Sequence, residues 1–164
     1  MKKFFDNVGV GYAHSMKDIH LIMQALRERG YRMTAARQAI LNVLLTSTRP
    51  LSPAELHRKA REAYRGVGLV TVYRTIEALI DLGVLRRVHR EDGCHGYVYV
   101  GYGHRHIAVC RVCGKVLIFS GTEDVSVLEE KLEKETGFRV DDHLLQFVGV
   151  CAECQAKEKE GAKP

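Results

Sequence analysis

The sequence predicts an α+β fold in two unlike halves, and three observations predict it. Apolar residues recur at helical spacing through most of residues 16–82. Two β-rich segments follow, flanking the tight-turn signal Asp92-Gly93. Two Cys-x-x-Cys pairs, Cys110 with Cys113 and Cys151 with Cys154, then bracket a stretch that mixes strand and helix patterns.

Within residues 16–29, Ile19, Ile22, Met23 and Leu26 share one helical face, and Gly30 supplies a stop. Thr34 can cap a second helix over 35–46, whose apolar set is Ile40, Leu41, Val43, Leu44 and Leu45. A third start is clearer. Ser52 stands as N-cap, Pro53 takes the first helical position and Glu55 follows the serine by three residues, which is a capping box. That helix should run to about residue 64. Beyond Gly66 and Gly68 comes a helix over 70–82, with Val72, Ile76, Leu79 and Ile80 expected inward and Gly83 as its stop. Thr71, Tyr73, Arg74 and Thr75 then belong to its exposed face.

Segments 84–90 and 96–100 read as two strands around Glu91-Asp92-Gly93. Three helices followed by a two-stranded hairpin is the layout of a winged helix-turn-helix. There the last helix enters the major groove of DNA, roughly 12 Å wide, while the hairpin lies along the backbone or minor groove. Charge agrees: residues 1–90 hold 16 Lys/Arg against 7 Asp/Glu, whereas 91–164 hold 9 against 13, so the first half suits a polyanion and the second does not.

All five cysteines lie in the acidic half. Each Cys-x-x-Cys can place two thiolates about 2.3 Å from one Zn2+, and two pairs complete a closed tetrahedral shell of Cys110, Cys113, Cys151 and Cys154. Disulfides compete with this reading, but a reducing compartment disfavours them. Between the pairs, 115–119 reads as a strand, 124–136 as a helix with Val125, Leu128 and Leu132 inward and Gly137 as its stop, and 144–150 as another strand. A unit of roughly 65 residues commonly leans on a partner surface, so pairing between two copies is expected. The expected division is 1–93 (with 1–15 an extension), 94–156, and a charged, frayed tail over 157–164.

His104 and His106 alternate on an extended segment and so share a face, as two ligands of one metal would. Cys94, His95 and His143 are the remaining donors of this half. His14, His20, His57 and His89 are read as surface or hydrogen-bonded histidines. No apolar run approaches the roughly 18 residues needed to cross a bilayer. Asp6 and Asn7 interrupt the apolar start after Phe4 and Phe5, which argues against a signal peptide. A cytoplasmic chain is expected. A zinc-dependent hydrolase or deaminase using His89, Glu91 and one Cys-x-x-Cys is the competing reading. It is weak, because Val109 stands where that pattern needs proline and a second cysteine pair leaves no open position for water.

Val70-Thr-Val-Tyr-Arg-Thr75, the His-x-His ahead of Cys-x-x-Cys-Gly-Lys, and a histidine before the second cysteine pair together resemble the ferric uptake regulator family of metal-sensing repressors, over residues 18–156. The resemblance implies a homodimer with an N-terminal winged helix and a C-terminal α/β dimerisation domain. It implies a metal-dependent repressor that binds inverted-repeat operators and controls metal uptake or homeostasis. It assigns Thr71, Tyr73 and Arg74 to DNA, the four paired cysteines to structural zinc, and His104, His106 and His143 to a regulatory metal, Zn2+, Fe2+ or Mn2+. The chain departs from the family pattern in three places. Pro50 and Ile118 stand where many relatives carry ligands, and the gap from His106 to Cys110 is one residue longer. Cys94 and His95 are the expected replacements, with Glu123 and Asp124 as oxygen donors, and a thiolate in the site would favour Zn2+.

Overall fold

The computed structural model describes residues 16–89, 95–120 and 125–161. Glu91, the Asp92-Gly93 turn, Cys94, Glu123 and Asp124 lie outside the described residues.

Four helices open the chain: α1 (Met16–Glu28), α2 (Ala35–Thr46), α3 (Pro53–Ala63) and α4 (Leu69–Asp81). Local chemistry sets their ends. Thr34 Oγ1 accepts the Arg37 N–H at the start of α2 (3.3 Å). At α3, Ser52 Oγ accepts the Glu55 N–H (3.2 Å) and the Glu55 carboxylate accepts the Ser52 N–H (2.7 Å), the reciprocal box that the spacing predicts. Gly83, at φ 73°, turns the chain out of α4, and the Val84 N–H reaches back to the Leu79 carbonyl (3.1 Å).

Ile22 and Leu26, Ile40, Leu41 and Leu44, Leu56, and Val72, Ile76 and Leu79 bring one face of each helix into a common core. Burial of each such side chain contributes about 1.5–3 kcal/mol, which binds the helical body together. Two expectations on α4 need correcting. Thr75, expected outside, is fully buried, because it lies three residues after Val72 on the same face. Ile80, expected inside, is 40% exposed, since it falls at the margin of the stripe that Val72, Ile76 and Leu79 define.

Strands β1 (Leu85–His89) and β2 (His95–Tyr99) pair antiparallel, from Leu85 opposite Tyr99 to His89 opposite His95. Leu51 adds a bridge to Tyr97 through hydrogen bonds in both directions (3.0 and 2.8 Å), which ties this wing to the start of α3. Helices and wing together form a winged helix.

The rest is a three-stranded sheet with two helices: β3 (Arg105–Cys110), β4 (Val116–Ser120), α5 (Ser126–Thr136), β5 (Gln146–Gly149) and α6 (Ala152–Gly161). The strand order is β4-β3-β5, with β3 antiparallel to β4 and parallel to β5. The central strand β3 is legible in sequence only as an extended piece around His104 and His106. Val125, Leu128 and Leu132 were expected inward, yet no residue of α5 is buried, because none of the described segments covers that face. Residues 157–161 of the tail expected to fray instead continue α6, which begins within the second cysteine pair, and 162–164 lie outside the described residues.

Val88, Val98 and Val100 of the wing pack with Ile107, Val109 and Val116 of the sheet, forming a second core. The Val116 N–H also donates to the Thr48 carbonyl, 3.1 Å away in the segment between α2 and α3. The sheet is therefore anchored on the wing and on the helical body. The expected division at residue 93 runs between the two paired strands of the wing.

Candidate metal centres and nucleic-acid interface

Cys110 ends β3, and the chain reverses at once. The Gly114 N–H bonds the Cys110 carbonyl (2.8 Å) and Gly114 sits at φ 71°, a conformation that suits glycine. That turn carries Cys113. The return of β5 alongside β3 delivers Cys151, and the first turn of α6 delivers Cys154. All four sulfurs lie within 4.8 Å of one another. Cys113 Sγ and Cys151 Sγ stand 3.8 Å apart and none of the four is in a disulfide. A tetrahedron of sulfurs about 2.3 Å from a central ion has edges of about 3.8 Å, so the cluster fits a thiolate-bound metal.

Electrostatics agrees with that fit. The Cys151 N–H donates to Cys110 Sγ (3.3 Å), and this bond, with that from the Cys113 backbone, lowers the Cys110 pKa to about 6. Cys154 is pushed up to about 12, first by its hydrogen bond with the Cys151 sulfur and then by burial. Four thiolates this close cannot all ionise without a cation among them. Lys115 Nζ and the Glu153 carboxylate meet at 2.6 Å and clasp the two knuckles from outside.

The second cluster joins His104, His106 and His143, whose ligand atoms also lie within 4.8 Å of one another. His104 Nε2 and His143 Nε2 are 3.1 Å apart. Nitrogens about 2.1 Å from one ion lie about 3.0–3.4 Å from each other in octahedral or tetrahedral geometry, so this spacing fits a shared metal. His106 is fully buried, packs on Phe119 (ring centroids 5.6 Å) and accepts the Leu145 N–H at Nδ1 (3.2 Å). His143 donates its Nδ1–H to Glu129 of α5 (3.1 Å), which orients the ring and leaves Nε2 for a ligand role. Glu129 escaped the sequence reading. Its only signal was an acidic residue at a helical position between the two cysteine pairs.

His95 stands elsewhere, its ring 4.4 Å from that of its cross-strand partner His89, with Nδ1 buried and lacking a partner among the described residues. Neither His89 nor His95 belongs to a donor group of three or more among the described residues. Pro50 is buried beside the Leu51 bridge, and Ile118 packs against the second core. Both are structural here. His57, read as a surface or hydrogen-bonded residue, bonds the Val67 carbonyl (3.0 Å).

On the helical body, Tyr73 and Arg74 are exposed on the first half of α4 and Thr71 is half-buried beside them. Arg65 before this helix and Arg87 on the wing are exposed as well. A protruding helix flanked by a wing, with exposed cations on both, matches the shape and charge of a DNA duplex.

Fold and site together define a winged-helix DNA-binding protein fused to a metal-binding sheet domain. The model of the Ferric uptake regulator family matches residues 28–148, and the chain belongs to that family. The ferric uptake regulation protein of Neisseria meningitidis (serogroup A / serotype 4A) is 36% identical over 142 residues, spanning 82% of this chain and 93% of its own length. The peroxide operon regulator of Bacillus subtilis (strain 168) is 30% identical over 148 residues, spanning 89% and 97%. A solved zinc uptake regulator complexed with zinc and DNA shares the fold, with a TM-score of 0.69 at 24% identity over 88% of this chain and 99% of that one.

Proposed function

We propose that the chain is a metal-dependent transcriptional repressor that binds inverted-repeat, double-stranded operators as a homodimer and controls metal uptake or homeostasis. The observation that carries this reading is the imidazole cluster of His104, His106 and His143 on the sheet whose core is continuous with the wing. Thr71, Tyr73 and Arg74 contact DNA: Arg74 meets phosphate or a guanine edge, and Tyr73 a base methyl or phosphate. Cys110, Cys113, Cys151 and Cys154 hold structural Zn2+, a closed shell with no position for substrate. His104, His106 and His143 hold the regulatory ion, Zn2+, Fe2+ or Mn2+, and Glu129 sets the tautomer of His143.

When bound, that ion would tie His104, in the short segment that leads from β2 into β3, to His143 ahead of β5, and so restrain how the sheet follows the wing, a coupling of about 1–3 kcal/mol towards the DNA-competent arrangement. The basic helical body with both strands of the wing, through Tyr99, forms the DNA-binding unit, and the three-stranded sheet with α5 and α6 the dimerisation unit. Apolar side chains left exposed on α5 and β5, among them Leu128 and Phe147, support pairing of two copies there. No catalytic role is assigned to any residue, and the cytoplasm, where thiols stay reduced, is the expected compartment.

The test titrates Zn2+, Fe2+ and Mn2+ into protein already loaded with structural zinc while operator affinity is followed by fluorescence anisotropy. At least one ion should tighten binding by about 5- to 150-fold, and His104→Ala or His143→Ala should abolish the response. No change beyond about twofold with any ion would overturn the switch, since that lies below the coupling expected of it.

A further inference from the structure

We propose that Arg37 is the positioning residue of the recognition helix, holding α4 in register on α2 without itself touching DNA. The inference rests on reading α4 as that helix.

Arg37 occupies the first turn of α2 among core residues, and only 9% of it is exposed. A buried guanidinium carries a desolvation cost that an apolar side chain would avoid, so its presence calls for a compensating role. Burial pulls its pKa below the ordinary arginine value, with Tyr31 opposing. Its partners among the described residues are neutral groups. The guanidinium stacks 5.2 Å from the Tyr31 ring centre, donates from Nη1 to the Arg32 carbonyl, and donates from Nε to Thr75 Oγ1 at 3.4 Å. Thr75 is wholly buried at the middle of α4, and its hydroxyl donates onward to the Thr71 carbonyl at 2.7 Å. One planar fork thus ties the segment between α1 and α2, α2 itself and the DNA-facing half of α4.

Apolar contact is non-directional, so helices packed only through Ile40, Val72 and Ile76 could rotate against each other at little cost. A guanidinium donating in fixed directions removes that freedom. Gly68, the N-cap of α4, makes no side-chain cap hydrogen bond, so this end of the helix has no such anchor of its own. Base-edge contacts need register, whereas phosphate contacts tolerate its loss. Removal of Arg37 should therefore weaken discrimination between sequences more than general attraction to DNA.

The test uses the full metal-loaded chain and two duplexes, one selected by the wild-type protein from random-sequence DNA and one scrambled. Arg37→Met keeps an unbranched apolar stem and removes the fork, and Thr75→Val removes the acceptor at equal volume. Each variant should retain zinc and the dimer, lose about tenfold or more in affinity for the selected duplex, bind the scrambled one within about twofold, and keep an unchanged salt slope. An unchanged ratio between the two duplexes in a folded variant would overturn the proposal. A salt slope reduced by about one, with both duplexes weakened alike, would overturn it too, by making Arg37 a phosphate contact. If Arg37→Met does not fold, Thr75→Val decides by the same criteria. Tyr73→Ala with Arg74→Ala runs alongside: wild-type binding by that variant rejects α4 as the recognition helix and Arg37's role with it. Loss there with an unchanged ratio in the Arg37 and Thr75 variants rejects Arg37 alone.

Discussion

Cys110 and Cys154 sit in one cluster and differ in ionisation, about 6 against about 12. The first accepts backbone N–H groups that stabilise a thiolate, while the second is buried against a neighbouring sulfur. A divalent ion resolves the conflict by neutralising both, and its binding energy, on the order of 10 kcal/mol, is also folding energy. Cys110→Ser should therefore lose stoichiometric zinc by elemental analysis and unfold the sheet half by circular dichroism. Retention of both would contradict a structural role. His95 makes a second prediction at this scale. Burial first, then Arg87 and His89, holds its pKa below the ordinary 6.5. The unfolded chain consequently takes up the proton first, so the contribution of this one group to stability is fully present above about pH 6.5 and is lost as the pH falls below. Thermal melts between pH 7 and 5 should show a smaller fall in His95→Gln than in the natural chain, in proportion to one proton per molecule.

Among the elements, α3 is the one whose start is written most completely in adjacent residues, and its capping box forms as the spacing demands. Ser52→Ala removes the acceptor for the Glu55 N–H and should cost about 1 kcal/mol in urea denaturation with an unchanged slope. A loss below a few tenths would mean that water replaces the cap. Helix α4 was equally clear in extent but not in facing, because periodicity locates a stripe and leaves its margins open. Thr75 was drawn inward by a partner on another helix, a contact no local pattern records. Helix α6 had no apolar stripe to find, and its Lys115–Glu153 contact depends on residues 38 apart in sequence.

For the whole molecule, Val127, Leu128, Leu132, Phe138, Phe147 and Val148 remain exposed on α5, just after it, and on β5. An apolar surface of this kind marks association. Two copies joined there would present two recognition helices, which suits a site with two-fold symmetry. Phe147→Asp should place a charge in that surface, shift sedimentation to the monomer at micromolar concentration and leave the zinc content intact. An unshifted dimer would move the interface elsewhere.

What the sequence alone determined was whatever depends on neighbours a few residues apart. The four helix starts, the wing strands, the two cysteine pairs and the shared face of His104 and His106 are all short-range, because caps, periodicity and chelate spacing act within one or two turns. Tertiary structure decided the rest. The parallel pairing of β3 with β5 brings His143 to His104, and α5 folding back brings Glu129 to His143. The separate two-stranded sheet of the wing holds His95 opposite His89 rather than in the histidine cluster. A metal site closes in three dimensions, so the donors contributed by distant segments are chosen by chain topology, which no local spacing encodes.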